Sequence, residues 1–294
     1  MSSAPSALSP TRVLILGASG RIGRLLRLCW KEDAPRGIAP VWQSRRGAFA
    51  NALRLDFMND RAGLGDALCQ ADAVLVLAGV TPGPGLCAPD YAANAEIAGT
   101  VLEAAAQADV GKVLLTSTAA VYGDADPGLH GFHETGDIDP TSDYGKSKAG
   151  MEHLADTLGA GRACCLRIGN VAGADQLLGP GQRDIELDVF PDGSGPRRTY
   201  LGPGMLASIL AQLLQTKTPL PGRLNIGGTS PVDMRDLLHA AGMHHATRPA
   251  PAELPETVAL DCSRMRALIH VPDGTGEAGE IVRDWCAVTG GKPV

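Results

Sequence analysis

The apolar positions of the first half fall into short continuous runs, separated by stretches with helical spacing. Val13-Leu14-Ile15-Leu16, after Arg12, is an unbroken run of strand length that stops at Gly17, and residues 21–30 then place apolar side chains every three or four positions. Residues 39–43, 53–57, 73–78 and 112–115 read as four more strands, 91–108 as the helix between the last two, and 144–158 as the helix after them. Strands without polar alternation are buried on both faces. Strand and helix alternating in this way predict an α/β fold: a doubly wound parallel sheet with helices on both faces, its ligands outside the carboxyl ends of the strands. After Asn170 the alternation weakens, and Gly179-Pro180-Gly181 and Pro191-Asp192-Gly193-Ser194-Gly195-Pro196 punctuate the chain into loops, as in a smaller lobe closing over a cleft. Residues 205–215, 234–241 and 261–268 (opening at the cap-like Asp261) read as its helices, and 283–288 is apolar enough to close the fold. The division expected is a disordered tail at 1–11, a dinucleotide-binding domain at 12–169, and a substrate lobe at 170–294 interleaved with the sheet.

The polar residues cluster at that sheet edge. Gly17-Ala18-Ser19-Gly20-Arg21-Ile22-Gly23 places glycines at the first, fourth and seventh positions of a strand-to-helix turn. The first permits the tight turn, the second a close approach to a pyrophosphate, and the third close packing of helix on strand. Phosphates then lie at the positive helix end, so Gly17, Ser19, Gly20, Arg21, Ile22 and Gly23 are candidates for cofactor binding. The second strand ends in Ser44-Arg45-Arg46, where an NAD-binding chain usually carries a carboxylate for the ribose 2′-hydroxyl. A hydroxyl and two guanidiniums suit a 2′-phosphate instead, which favours NADP(H), with NAD(H) the other option. Asp56 and Phe57 end the third strand, near where an adenine would lie. Ala78 and Gly79 end the fourth, where a cofactor can come close. Tyr144 and Lys148 are one turn apart on one helix face, and a cation there would favour the phenolate, bringing a phenol of pKa ~10 towards use as a general acid or base.

Composition narrows the class. The chain has 294 residues, 44% of them hydrophobic and 20% charged, with a formal charge of −6, which describes an ordinary globular protein and gives no reason to expect nucleic acid. No apolar run approaches the roughly 20 residues that span a membrane, and residues 1–11 lack a basic segment ahead of an apolar one, so a cytoplasmic protein is expected. Seven cysteines without a Cys-x-x-Cys pair, two of them adjacent at Cys164-Cys165 in an apolar strand, predict core residues, with no disulfide framework. His244-His245 has no third ligand at suitable spacing, and no metal is expected.

In order and separation, Gly17-x-x-Gly20-x-x-Gly23, Thr116-Ser117-Thr118-Ala119-Ala120-Val121-Tyr122-Gly123 and Tyr144-x-x-x-Lys148 resemble the extended short-chain dehydrogenase/reductases, the NAD-dependent epimerase/dehydratase family. Asn94 with Gly99-Thr100, Leu166-Arg167-Ile168-Gly169-Asn170-Val171-Ala172-Gly173 and Leu224-Asn225-Ile226-Gly227 extend the likeness over nearly the whole chain after Thr11. The resemblance implies a Rossmann-type sheet with Tyr144 as proton donor or acceptor. Lys148 would lower its pKa and hold the nicotinamide ribose, Thr118 would bind the substrate oxygen, and Ser117 is a second candidate. It also implies Asn94 at the cofactor, Asn170 at the substrate, and Arg198 of Arg197-Arg198-Thr199-Tyr200-Leu201 at the phosphates of a sugar nucleotide. Two departures oppose a full nucleoside-diphosphate sugar: residues 173–190 are short for that pocket, and Gly202-Pro203-Gly204 stands where an aspartate is usual. The expected activity is hydride transfer at a hydroxyl or carbonyl carbon, by an NADP(H)-linked oxidoreductase. The alternatives are a nucleotide-sugar epimerase or dehydratase that retains its cofactor, and a non-catalytic NADP(H)-binding sensor or partner subunit. A homodimer through the helices at 91–108 and 144–158 is a further implication of the likeness.

Overall fold

The computed structural model describes residues 9–30, 34–124, 128, 131–180 and 185–291. Of the expected tail, residues 1–8 lie outside the described residues, while Thr11 belongs to the first strand. In the first half, β1 (Thr11–Leu16), α1 (Arg21–Cys29), β2 (Ile38–Ser44), β3 (Leu53–Arg54), α2 (Arg61–Leu68), β4 (Ala73–Val76), α3 (Ala88–Tyr91), α4 (Ala93–Gln107), β5 (Lys112–Thr118), α5 (Asp143–Leu158) and β6 (Ala163–Ile168) alternate as expected. In the second half follow β7 (Asn170–Val171), β8 (Glu186–Val189), β9 (Arg197–Leu201), α6 (Pro203–Gln215), β10 (Arg223–Ile226), β11 (Pro231–Asp233), α7 (Met234–Ala240), β12 (Ala246–Pro249), β13 (Thr257–Val258), α8 (Ser263–Leu268) and α9 (Ala278–Thr289).

The main sheet has seven parallel strands in the order β10-β6-β5-β4-β1-β2-β3. Its apolar runs explain its burial. Val13 and Ile15 point into a core shared with Leu25 of α1 and Leu210 of α6, while Leu14 and Leu16 point into one shared with Leu64 of α2, Val101 of α4 and Met151 of α5. Chain order reverses between β1 and β4, which opens a crevice at their carboxyl ends. The second half lends β10 and α6 to this sheet and builds its own small sheet from β11, β9, β13 and β7, plus a parallel β8–β12 pair.

Three elements differ from expectation for local reasons. The third strand stops at Arg54 because Leu55 and Asp56 turn away: the Asp56 carbonyl accepts from Asn59 and Asp60. The helix expected at 91–108 starts earlier and breaks at Ala92, since Asp90 accepts from the Cys87 N–H at 2.8 Å and starts the short α3. Helix α8 begins at Ser263 rather than Asp261, although Asp261 still accepts from the Ser263 N–H at 2.7 Å. Two long-range caps hold α6. Gly202-Pro203-Gly204 supplies no side-chain cap, and Asp284 of α9 accepts from the Met205 N–H at 2.9 Å. At the other end the Lys112 ammonium donates to the carbonyls of Leu213, Leu214 and Thr216 at 2.7–3.0 Å. No helix of the described residues is long and apolar enough to cross a membrane.

Candidate active site

The turn after β1 is built on its glycines. Gly17 has φ +84°, and a Cβ there would stand 2.5 Å from the Ala78 nitrogen. Gly23 allows α1 to touch the turn, since a Cβ would come within 2.7 Å of the Ala18 Cα. Gly20 is the N-cap residue of α1 and contributes no side-chain bond, so the first N–H groups of α1 face outward at the positive helix end. Arg21 reaches across the crevice and donates to Thr81 Oγ1 at 2.8 Å. Gln43, at the end of β2, fixes the turn from below: it accepts from the Gly17 N–H at 2.9 Å and donates to the Leu55 carbonyl at 2.6 Å.

Beside the turn lies a cavity of about 520 Å³. Gly20, Arg21, Ile22, Ala78, Gly79, Ser117, Tyr144, Lys148, Asn170 and Arg198, all candidates from the sequence, line it together. Gly79 lets side chains close on the backbone: a Cβ there would lie 2.7 Å from Asn94 Oδ1 and 3.3 Å from Lys148 Nζ. A glycine turn ending at an uncapped helix, a switch-point crevice and a glycine between Asn94 and Lys148 fit a nicotinamide dinucleotide.

Tyr144 and Lys148 occupy the expected face of α5, with a different electrostatic arrangement. Burial raises the Tyr144 pKa above the usual phenol value, and an interaction with the Thr118 hydroxyl and the Arg21 charge oppose the rise. The expected lowering by Lys148 does not set the direction here. The Lys148 ammonium, 3% exposed, donates instead to the Thr116 carbonyl at 2.8 Å, and burial pushes its pKa down to about 8, with Glu152 one turn along α5 acting against the fall. Tyr91 packs against the phenol, ring centroids 5.9 Å apart.

The two hydroxyls at the end of β5 separate. Thr118 neighbours the Tyr144 phenol and accepts from the Ala120 N–H at 3.2 Å, although it is outside the cavity wall. Ser117, the second candidate, lies in the wall, yet its hydroxyl is committed to the Glu152 carboxylate at 2.6 Å. Glu152, 1% exposed, also accepts from Arg167 at 2.7 Å and from Arg223 at 3.0 Å, so Ser117 belongs to a buried ion network.

Other candidates act at one remove. Asn94 is buried outside the cavity wall: it bonds both backbone groups of Val80 at 3.0 and 3.1 Å and donates to Ser147 at 3.0 Å, tying α4 to the loop after β4 and to α5. Ser44 is buried, and its hydroxyl accepts from its own turn at Ala48, 3.2 Å away. Arg45 and Arg46 are exposed at the end of β2. The Phe57 side chain packs in the core with Leu14 and Leu64, so at most its backbone can meet a ligand, while Asp56 accepts from Asn59 at 3.0 Å. Ser19 is exposed on the turn. Arg198 lines the cavity and donates to the carbonyls of Arg197, Pro255 and Glu256 at 2.8–3.1 Å, without a carboxylate partner among the described residues. The sequence reading missed Gln43, Thr81, Asp175, Glu152 and Tyr200; an amide ending a buried strand was a local signal only for Gln43.

A model of the NAD dependent epimerase/dehydratase family matches residues 13–186, more than half of the chain. A UDP-glucose 4-epimerase from Lacticaseibacillus casei is 42% identical over 78 residues, which are 26% of this chain and 23% of that protein, so the match spans about a quarter of the relative's length. Among solved structures, a UDP-glucose 4-epimerase from Brucella ovis in complex with NAD superposes with a TM-score of 0.76 at 21% identity, covering 93% of this chain and 97% of the other. A short-chain dehydrogenase/reductase superfamily protein from Agrobacterium tumefaciens with bound NAD gives 0.74 at 18% identity, over 94% and 96%. These structural likenesses speak for the fold, and the family model, lying on the strands, glycine turn and Tyr144 helix described above, speaks for descent: the chain belongs to the NAD dependent epimerase/dehydratase family.

Proposed function

We propose that this protein is a nicotinamide-dependent epimerase or dehydratase that moves a hydride at a hydroxyl/carbonyl carbon of a nucleotide sugar. The observation that carries this reading is that Tyr144, Lys148 and the uncapped first turn of α1 face one cavity. Bound there, a nicotinamide dinucleotide supplies the hydride acceptor and donor and, when oxidised, a positive charge favouring the phenolate. The chain's residues do the rest. The α1 N–H groups and Arg21 hold phosphate oxygens. Tyr144 takes the proton from the substrate hydroxyl as its carbon gives up hydride, and returns it in the reverse step. Thr118 orients the same oxygen through its place beside the phenol, and Arg198 offers a cation to the diphosphate.

A second reading is favoured by one observation: the end of β2 carries exposed Arg45 and Arg46 in place of a carboxylate, which suits NADP(H) and a reductase. The deciding experiment incubates the purified protein with UDP-glucose and with UDP-N-acetylglucosamine, follows the sugar by proton NMR, and identifies the nucleotide released on denaturation. Turnover with tightly held NAD supports the epimerase reading, whereas an empty protein that consumes NADPH with a carbonyl substrate supports the reductase. Tyr144→Phe lowers turnover by ~10²–10⁴-fold with cofactor binding intact. Near-normal turnover in that variant removes Tyr144 as the acid/base.

A further inference from the structure

The cavity that holds Tyr144 contains a second ionisable group, Asp175, which the reaction above does not use. Asp175 sits in the turn after β7, where its N–H donates to the Val171 carbonyl at 3.1 Å. One carboxylate oxygen accepts from the Leu178 N–H at 2.9 Å, the other from the Tyr200 hydroxyl at 2.6 Å. Tyr200 is fully buried, pairs in register with Asn170 across β7 and β9, and interacts with its side chain. The carboxyl is therefore held from two sides, by a backbone turn and by a rigid aromatic hydroxyl.

Structure alone does not call for an acid here. Both partners are neutral donors, and among the described residues no cation stands within ion-pair distance of Asp175. Burial accordingly raises its pKa. A carboxylate has about four acceptor positions; Leu178 and Tyr200 take one each, the backbone N–H groups of Asp175 and Leu177 also lie against it, and the residue lines the cavity. Arg198, two residues before Tyr200 on the same face of β9, places a cation on the same wall. The wall thus offers a cation and, apart from it, a carboxylate acceptor, which matches a ligand with a charged end and a polyhydroxylated end.

We propose that Asp175, oriented by Tyr200, recognises the sugar of the substrate by accepting hydrogen bonds from one of its hydroxyls or from a vicinal pair. This rests on the nucleotide-sugar reading and names the residue that would select the sugar within it. Asp175 is then a specificity-determining residue, and Tyr200 a positioning residue acting through it.

The test titrates NAD-saturated wild type and Asp175→Asn with UDP and with UDP-glucose in a calorimeter, after thermal melts have shown that the variant folds. The expected result is an UDP-glucose affinity weakened by ~10-fold or more in Asp175→Asn, with UDP and NAD affinities within twofold of wild type. On wild type alone, which needs no folded variant, the preference for UDP-glucose over UDP should shrink as the pH falls and the carboxylate takes up a proton. Tyr200→Phe should raise KM more than it lowers kcat and shift that pH dependence. A preference for UDP-glucose that survives both Asp175→Asn and acidification overturns the assignment while the nucleotide-sugar reading stands. A changed NAD affinity with unchanged sugar preference moves Asp175 to the cofactor and also overturns it. Wild type that does not distinguish UDP-glucose from UDP brings down the parent reading, and this one with it.

Discussion

Asp284 of α9 caps α6 at the Met205 N–H, across 79 positions of sequence. Gly202 and Gly204 are what admit it, since a Cβ at either would collide with the carboxylate. The aspartate that the family resemblance leads one to expect beside Gly202 is absent, and α6 is capped from the other end of the chain. Asp284→Ala should lower unfolding free energy by ~1–2 kcal/mol, with Asp284→Asn recovering most of it. Urea titration reads this, and an unchanged midpoint for Asp284→Ala would rule out the cap.

Lys148 is held charged where its surroundings favour the neutral form. Its folded pKa of about 8 lies below the ordinary lysine value, so between the two the unfolded chain binds more protons and stability rises with pH. Below about 8 the cost is fully present, on the order of ~3 kcal/mol before the bond to Thr116 is set against it. Lys148→Met in the cofactor-free protein should therefore match or exceed wild-type stability near neutrality, lose that advantage as the pH is raised towards the ordinary lysine pKa, and be nearly inactive throughout. Parallel melts across that range test it; a difference that stays constant with pH sinks the idea.

The neighbours Ser117 and Thr118 should fail in different ways. Ser117→Ala removes one partner of the buried Glu152 carboxylate, which should cost ~1–3 kcal/mol of stability while folded molecules turn over nearly normally. Thr118→Val removes the acceptor of the Ala120 N–H, which should cost ~1 kcal/mol of stability, and should lower kcat by ~10²-fold or more. The opposite pattern, in melting curves and single-turnover rates, would make Ser117 the residue at the substrate.

Arg45 and Arg46 test cofactor choice without touching the cavity. Replacing both with alanine should weaken NADPH binding by ~10-fold or more and leave NADH binding within about twofold. Fluorescence titration with each nucleotide measures the ratio, and a ratio equal to wild type assigns the two arginines to the solvent.

The fold was legible where its cause was local. Val13 to Leu16 announces a strand buried on both faces, Gly17, Gly20 and Gly23 announce the turn, and the four-residue step from Tyr144 to Lys148 puts both groups on one helix face. What stayed hidden depends on residues remote in sequence. Nothing near Ser117 signals that Glu152 takes its hydroxyl, nothing near Asp175 signals Tyr200, and the cap of α6 cannot be read from α6. Ser44 and Phe57 show the converse: each sits where a ligand contact was expected, and a turn engages the Ser44 hydroxyl while the Phe57 side chain packs in the core.

The path of the chain between the two halves limits how the cavity can open. It leaves the main sheet after β6, returns through α6 and β10, and leaves again into β11, while α9 packs back on α1 and α6. A body tethered at several separate points moves only if all of these connections bend together. Both halves line the cavity, so any opening between them has to be shared among these connections.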